Sequence, residues 1–225
     1  MNARGVAKYM IASPYAARKV VEDYAFPKEE TPKIITPTPA KDVVWQYFRR
    51  GQDEQTLHDA IAAYGVKPIS ETPVARSRRL GALNAAKILL KFGQAFRVTD
   101  VRRKTCLITI EGLPVRASID FFCKASNDGK ILAMIFNVAA EVSDNHAKLE
   151  HYARVESEIA WQATRLHMPS TDEIWYVDLL SEKVVRRHKT SLKAAWRNIE
   201  TTADNILIAY NTLIARRARE RRLGA

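Results

Sequence analysis

Long apolar runs are missing from this 225-residue chain. No stretch approaches the roughly 18 uninterrupted apolar residues that a membrane helix requires. The opening MNARGVAKYMIASPYAARK also lacks the continuous apolar centre of a secretory signal. Cysteine is scarce: Cys106 and Cys123 are the only two, both inside apolar stretches. That scarcity argues against a disulfide framework and a four-cysteine metal or iron–sulfur site, and it fits a reducing, cytoplasmic setting. A Walker loop, C-x-x-C, H-E-x-x-H and G-x-S-x-G are all absent, as is any internal repeat, which removes the commonest nucleotide, redox, zinc-protease and serine-hydrolase readings.

Positive charge is present in excess, and it is unevenly placed. The formal net charge is +11, yet residues 76–104 hold nine basic side chains against Asp100 alone, a balance of +8. Residues 183–225 hold eleven against Glu200, Asp204 and Glu220, again +8. Two basic blocks on a mildly acidic body fit a polyanion, because each phosphate contacted releases condensed counterions. The candidate contacts are Arg76, Arg78, Arg79, Arg102, Arg103 and Lys104 in the first block, and Arg216, Arg217, Arg219, Arg221 and Arg222 in the tail. Solvated helix faces and a solubilising tail are the plain alternative. A basic C-terminal helix docking on an acidic protein partner is another.

Near the N-terminus, Ser13 and Pro14 read as an N-cap and first helical residue. Prolines at 27, 32, 37 and 39 mark an extended arm, so the organisation reads as helix and arm (1–39), an α/β domain (40–215) and a basic tail (216–225). Val43, Val44, Tyr47, Phe48, Leu57, Ile61 and Tyr64 suggest helix, interrupted at Gly51 and stopped at Gly65. Another helix is expected over about 77–92. Then FRVTDV, TCLITIEG, VRASIDFF and ILAMIFNVAA form a β region that a meander pairs most economically. ILAMIFNVAA is apolar on both faces, as a strand covered twice would be. A long helix over about 143–166, strands EIWYVDLL and KVVRRHK, and a final helix from Ser191 complete the chain. In VRASIDFF, strict alternation puts Val115, Ala117, Ile119 and Phe121 on one face and Arg116, Ser118 and Asp120 on the other. A carboxylate so placed needs a reason, because burial without a partner is costly. A metal role or a salt bridge to Arg116 or Arg102 would each supply one.

The element order, a helix, several antiparallel strands, a helix and a further strand, resembles that of the PD-(D/E)XK nuclease superfamily, particularly its RecB-like and lambda-exonuclease-like branch. The resemblance implies a central mixed sheet, an antiparallel meander plus a crossover strand, flanked by helices. It also implies DNA, in preference to RNA, as partner, and Mg²⁺ or Mn²⁺ as cofactor. Asp120, in A-S-I-D, matches the metal-binding acid of the family's hairpin, with Ala117 where glycine is common. EQTLHDAIAAYG resembles the helix whose histidine ligates the metal, which would be His58, although Glu54 replaces the usual glycine. HAKLEHYARV resembles a Q-x-x-x-Y helix, with Lys148 in the glutamine's place and Tyr152 matching; both would face nucleic acid. The acid and lysine that end the family's central strand are replaced by Asn137 and Ala139. Asn137 keeps an oxygen for a metal but no charge, and Ala139 has no ammonium, so hydrolysis is expected to be lost. The contrary expectation is displaced chemistry, in which Glu141 supplies the acid and Lys148 the ammonium.

Overall fold

The computed structural model describes residues 1–27, 39–100, 104–126, 128–137, 145–168, 170–188 and 193–223. Its helix starts follow the capping chemistry. In α1 (Ala3–Met10), Asn2 accepts from the Gly5 N–H at 2.7 Å; α2 (Pro14–Ala25) starts behind Ser13 with proline first. The interruption expected at Gly51 separates α3 (Pro39–Arg49) from α4 (Glu54–Gly65). There Gly51 N–H reaches Phe48 O and Gln52 N–H reaches Tyr47 O, with Gly51 at φ 73°, a Schellman closure that needs the left-handed conformation. The next helix, α5 (Pro73–Phe92), starts earlier than expected because Thr72 caps it and Pro73 opens it.

The strands are β1 (Phe96–Asp100), β2 (Lys104–Ile110), β3 (Leu113–Ile119), β4 (Phe121–Ala125) and β5 (Ile131–Asn137). After them come α6 (His146–His167), β6 (Thr171–Asp178), β7 (Lys183–His188) and α7 (Lys193–Leu223). Five strands form one mixed sheet in the order β1-β4-β5-β6-β7. Every neighbouring pair is antiparallel except β5 and β6, which run parallel across the α6 crossover. The molecule is therefore a mixed α/β fold with helices on both faces of its sheet. Among the described residues, no helix is long and apolar enough to cross a membrane.

A simple meander does not form. Strands β2 and β3 make their own two-stranded sheet, and β1 pairs with β4 instead. The stretch from Leu113 to Ala125 is long enough to serve both sheets, and it changes from one to the other at Asp120. Alternation breaks there too. Val115, Ala117 and Ile119 lie in the core formed with α1, α6 and α7, Phe121 lies in the core under α3–α5, and Phe122 returns to the first. Asp120 lies between two strands and resets the period.

Strand β5 is covered twice, as its composition suggests. Ala133 and Ile135 face α6, while Leu132, Met134 and Phe136 pack under α3 and α5. Trp161 and Trp175 are buried, and Trp45 and Trp196 pack against the two cores. Cys106 and Cys123 are buried free thiols, and burial pushes the Cys123 thiol up to about 12.

Candidate functional site

The break at Asp120 leaves the end of β5 without a strand partner on that side, and the carboxylate takes over. Its Oδ2 accepts the Phe136 main-chain N–H at 2.9 Å, while its Oδ1 receives Lys41 Nζ from α3, also at 2.9 Å. The side chain of Asp120 is only 6% exposed, so this ion pair answers the question of how the acid is tolerated. One partner is a lysine 79 residues upstream, which the sequence did not suggest; Arg102 lies outside the described residues.

Beside this pair, α1 delivers Arg4. Its Nε lies 3.0 Å from Glu156 Oε1 on α6, its Nη2 donates to Asn137 Oδ1 at 2.8 Å, and the same nitrogen reaches Tyr176 Oη at 3.3 Å. Asn137 in turn donates to Asp178 Oδ1 at 2.6 Å. Burial raises the Glu156 carboxyl above its ordinary range, and nearby Asp120 pushes the same way, against the pull of Arg4 and Lys41. Burial also opposes the charge on Arg4, but Glu156 and Tyr176 outweigh it and hold the guanidinium above its usual value. Tyr176 is likewise raised, by burial first and then by Glu156. A cavity of about 280 Å³ opens onto these groups, lined by Arg4, Lys41, Arg116, Asp120 and Glu156 together with Asn2, Ala3, Ile135 and Phe136.

The oxygen donors are thus Asp120, Glu156 and Asn137, and each is held by a cation of the chain. A hard divalent ion needs several oxygens of net negative charge. Among the described residues there is no group of three or more His, Cys, Asp or Glu side chains placed to hold one.

Of the residues singled out from sequence, Asp120 is at the centre and Asn137 lies behind Arg4. Glu141 and Ala139 fall outside the described residues, as do Arg102 and Arg103, and Lys104 is described only as the start of β2. His58 is exposed on α4 and does not line the cavity, so the expected His58–Asp120–Asn137 ligand set is not assembled. Lys148 sits half-buried in the first turn of α6, likewise outside the cavity lining; Lys41 is the lysine at Asp120. Tyr152 is 1% exposed within the core and cannot offer a ring to nucleic acid. Arg79 is a structural arginine: it forks onto Glu71 at 2.8 and 3.2 Å and donates to Tyr64 O at 3.0 Å.

Arg76 and Arg78 are exposed on α5. At the other block, α7 stays helical to Leu223, Arg216 pairs with Glu220 at 2.8 Å, and Arg217 stacks on Phe26 at 4.0 Å. Arg219, Arg221 and Arg222 are exposed. Helix α5 covers one face of the sheet and α7 the other, so the exposed arginines of these two helices stand on different layers of the fold.

Three site residues escaped the sequence reading. Glu156 had a signal, since it falls in phase with Leu149, Tyr152, Ala153 and Ile159 on the buried seam of α6, where a charge demands a partner. Lys41 borders the stripe of Ala40, Val44, Tyr47 and Phe48 and gives a weaker one. Arg4 has no local signal at all, because its meaning depends on a helix 152 residues away. No protein-family model and no curated protein matches the chain.

Proposed function

We propose that this chain is a DNA-binding protein built on a PD-(D/E)XK-like core, RecB-like in arrangement, in which metal-dependent hydrolysis has been lost. What carries the reading is one observation: the acid at the junction of hairpin and sheet, Asp120, is neutralised from within by Lys41. The sheet order supports the family resemblance, with the antiparallel β1 and β4 on one side of β5 and the parallel β6 on the other, after a helical crossover. Exposed arginines on α5 and at the end of α7 support a phosphate-backbone partner.

Fluorescence anisotropy with a labelled duplex and a labelled single strand tests the binding. Log affinity is expected to fall linearly with log salt, and deletion of residues 216–225 to weaken all sequences alike and flatten the slope. No binding at low salt sinks the proposal and favours the protein-interaction subunit.

One observation favours a second reading, an active nuclease with displaced groups. A lysine does stand at Asp120, supplied by α3 rather than by α6. Incubation with DNA and Mg²⁺ or Mn²⁺ separates the two. Cleavage lost in both Asp120→Ala and Lys41→Ala would establish the active reading, and retained binding without cleavage the inactive one.

A further inference from the structure

Charge balance decides what the cavity at Asp120 can accept. Among the described residues, three cations, Arg4, Lys41 and Arg116, line it against two carboxylates, Asp120 and Glu156. These lining groups together carry one unit of positive charge before anything binds. A divalent cation would raise that excess to three units inside a partly enclosed site, where such repulsion is poorly screened. A monoanionic phosphodiester would cancel it.

The cations also differ in how they are engaged. Lys41 and Arg4 are committed to carboxylates at 2.9 and 3.0 Å, with side chains 25% and 32% exposed. Arg116 lies on β3 with its side chain exposed and, among the described residues, has no ion-pair partner. Its main chain is fixed by pairing with Leu107 in the hairpin and by its N–H bond to Met1 O at 2.8 Å, so the guanidinium projects from a firm base. The first turn of α1 lines the same cavity and adds the positive end of its dipole. At about 280 Å³ the space equals roughly nine waters, enough for a phosphate and part of its hydration.

We infer that Lys41 and Arg4 stand in the electrostatic place of a divalent ion, and that the cavity takes a phosphate group directly, gripped by Arg116 and Lys41 without any metal. That the phosphate belongs to DNA rests on the function proposed above; the anion site itself does not. Planar donors on Arg116 suit two phosphate oxygens, and the Lys41 ammonium can share its hydrogens between Asp120 and a third.

The experiment uses the full chain in EDTA. Inorganic phosphate is titrated by calorimetry against wild type, Arg116→Ala and, as a control for non-specific attraction, Lys67→Ala/Arg165→Ala, two exposed cations away from the cavity lining. Phosphate affinity is expected to fall about tenfold in Arg116→Ala, the loss of one charge-assisted contact, and to stay unchanged in the control. Equal affinity in wild type and Arg116→Ala overturns the inference. Because Arg116 is exposed, that variant folds even if a change at Lys41 does not. In a second arm, Mn²⁺ binding is counted by electron paramagnetic resonance. Wild type is expected to hold no ion at this site and Lys41→Ala to gain one; Mn²⁺ bound by wild type and released by Asp120→Asn overturns the proposal. A labelled oligonucleotide separates the two ideas. If wild type binds phosphate through Arg116 but no DNA, the proposed function fails and the anion site stands.

Discussion

Helix α6 buries two glutamates two residues apart, and each meets an arginine, yet the pairs are of different kinds. Glu158 receives Arg187 through two bonds, at 2.7 and 3.0 Å, and both side chains are under a tenth exposed. The Arg187 guanidinium also lies 4.3 Å from the Trp161 ring centre, so its faces are covered as well as its edges. Glu156 makes a single ion-pair contact with Arg4, which divides its remaining donors between Asn137 and Tyr176 and is a third exposed. The first pair is buried, with Gln162 also donating to Glu158 at 3.2 Å, and it ties β7 to α6. The second opens on a cavity that holds further charges. Burial of charge is common to both, and access is what distinguishes a strut from a candidate site.

Breaking the closed pair should cost most. Arg187→Ala would leave Glu158 buried without its counter-charge, for a loss of about 3–5 kcal/mol in chemical denaturation. Replacing both by apolar residues of similar size should recover most of that loss, since desolvation then disappears with the charges. A double variant as unstable as the single one would show that Trp161 packing, not charge, dominates.

Breaking the open pair should cost less and respond to pH. Arg4→Ala is expected to lose about 1–3 kcal/mol, because water can reach the vacated place. With Arg4 gone, burial and Asp120 both favour the protonated Glu156 carboxyl. A carboxyl raised in the folded state contributes stability that is complete below its unfolded value, near 4.5, and is lost as pH rises through the folded value. Arg4→Ala should therefore weaken with rising pH relative to wild type, and Glu156→Gln in that background should remove the slope. A flat difference between the two proteins across that range would refute the assignment.

The smallest effect concerns the docking of α1. His151 Nε2 lies 3.0 Å from Ala7 O, and the imidazole is lowered from its ordinary value by burial, then by Arg154, against the opposing bond to Ala7. A histidine lowered in the fold contributes stability present above its unfolded value, near 6.5, and lost as pH falls through the folded value. Wild type should lose stability modestly on acidification through that window. His151→Gln, measured in parallel, should show a shallower loss.

Periodicity and turn chemistry made much of the fold legible. The double coverage of β5, the stop at Gly65 and the interruption at Gly51 are local facts written in local residues. The site was legible only at Asp120, where a lone acid between Ile119 and Phe121 asked for a partner. Which partner it takes depends on α3 meeting the sheet, and alternation failed at the residue where the chain changes sheets. Charges that find one another across 79 and 152 residues leave no pattern in either neighbourhood.

Those separations also set a time order. The groups around the cavity come from positions 4, 41, 116, 120 and 156, so no short fragment of the chain contains it. Loop closure over such spans costs entropy that only later contacts repay. During synthesis, Arg4 and Lys41 leave the ribosome long before Glu156 and Asp120 do, so neither ion pair can close until its later partner has emerged. The α4–α5 and β2–β3 hairpins join neighbours in sequence, whereas the charged cavity needs elements brought together from across more than half of the chain.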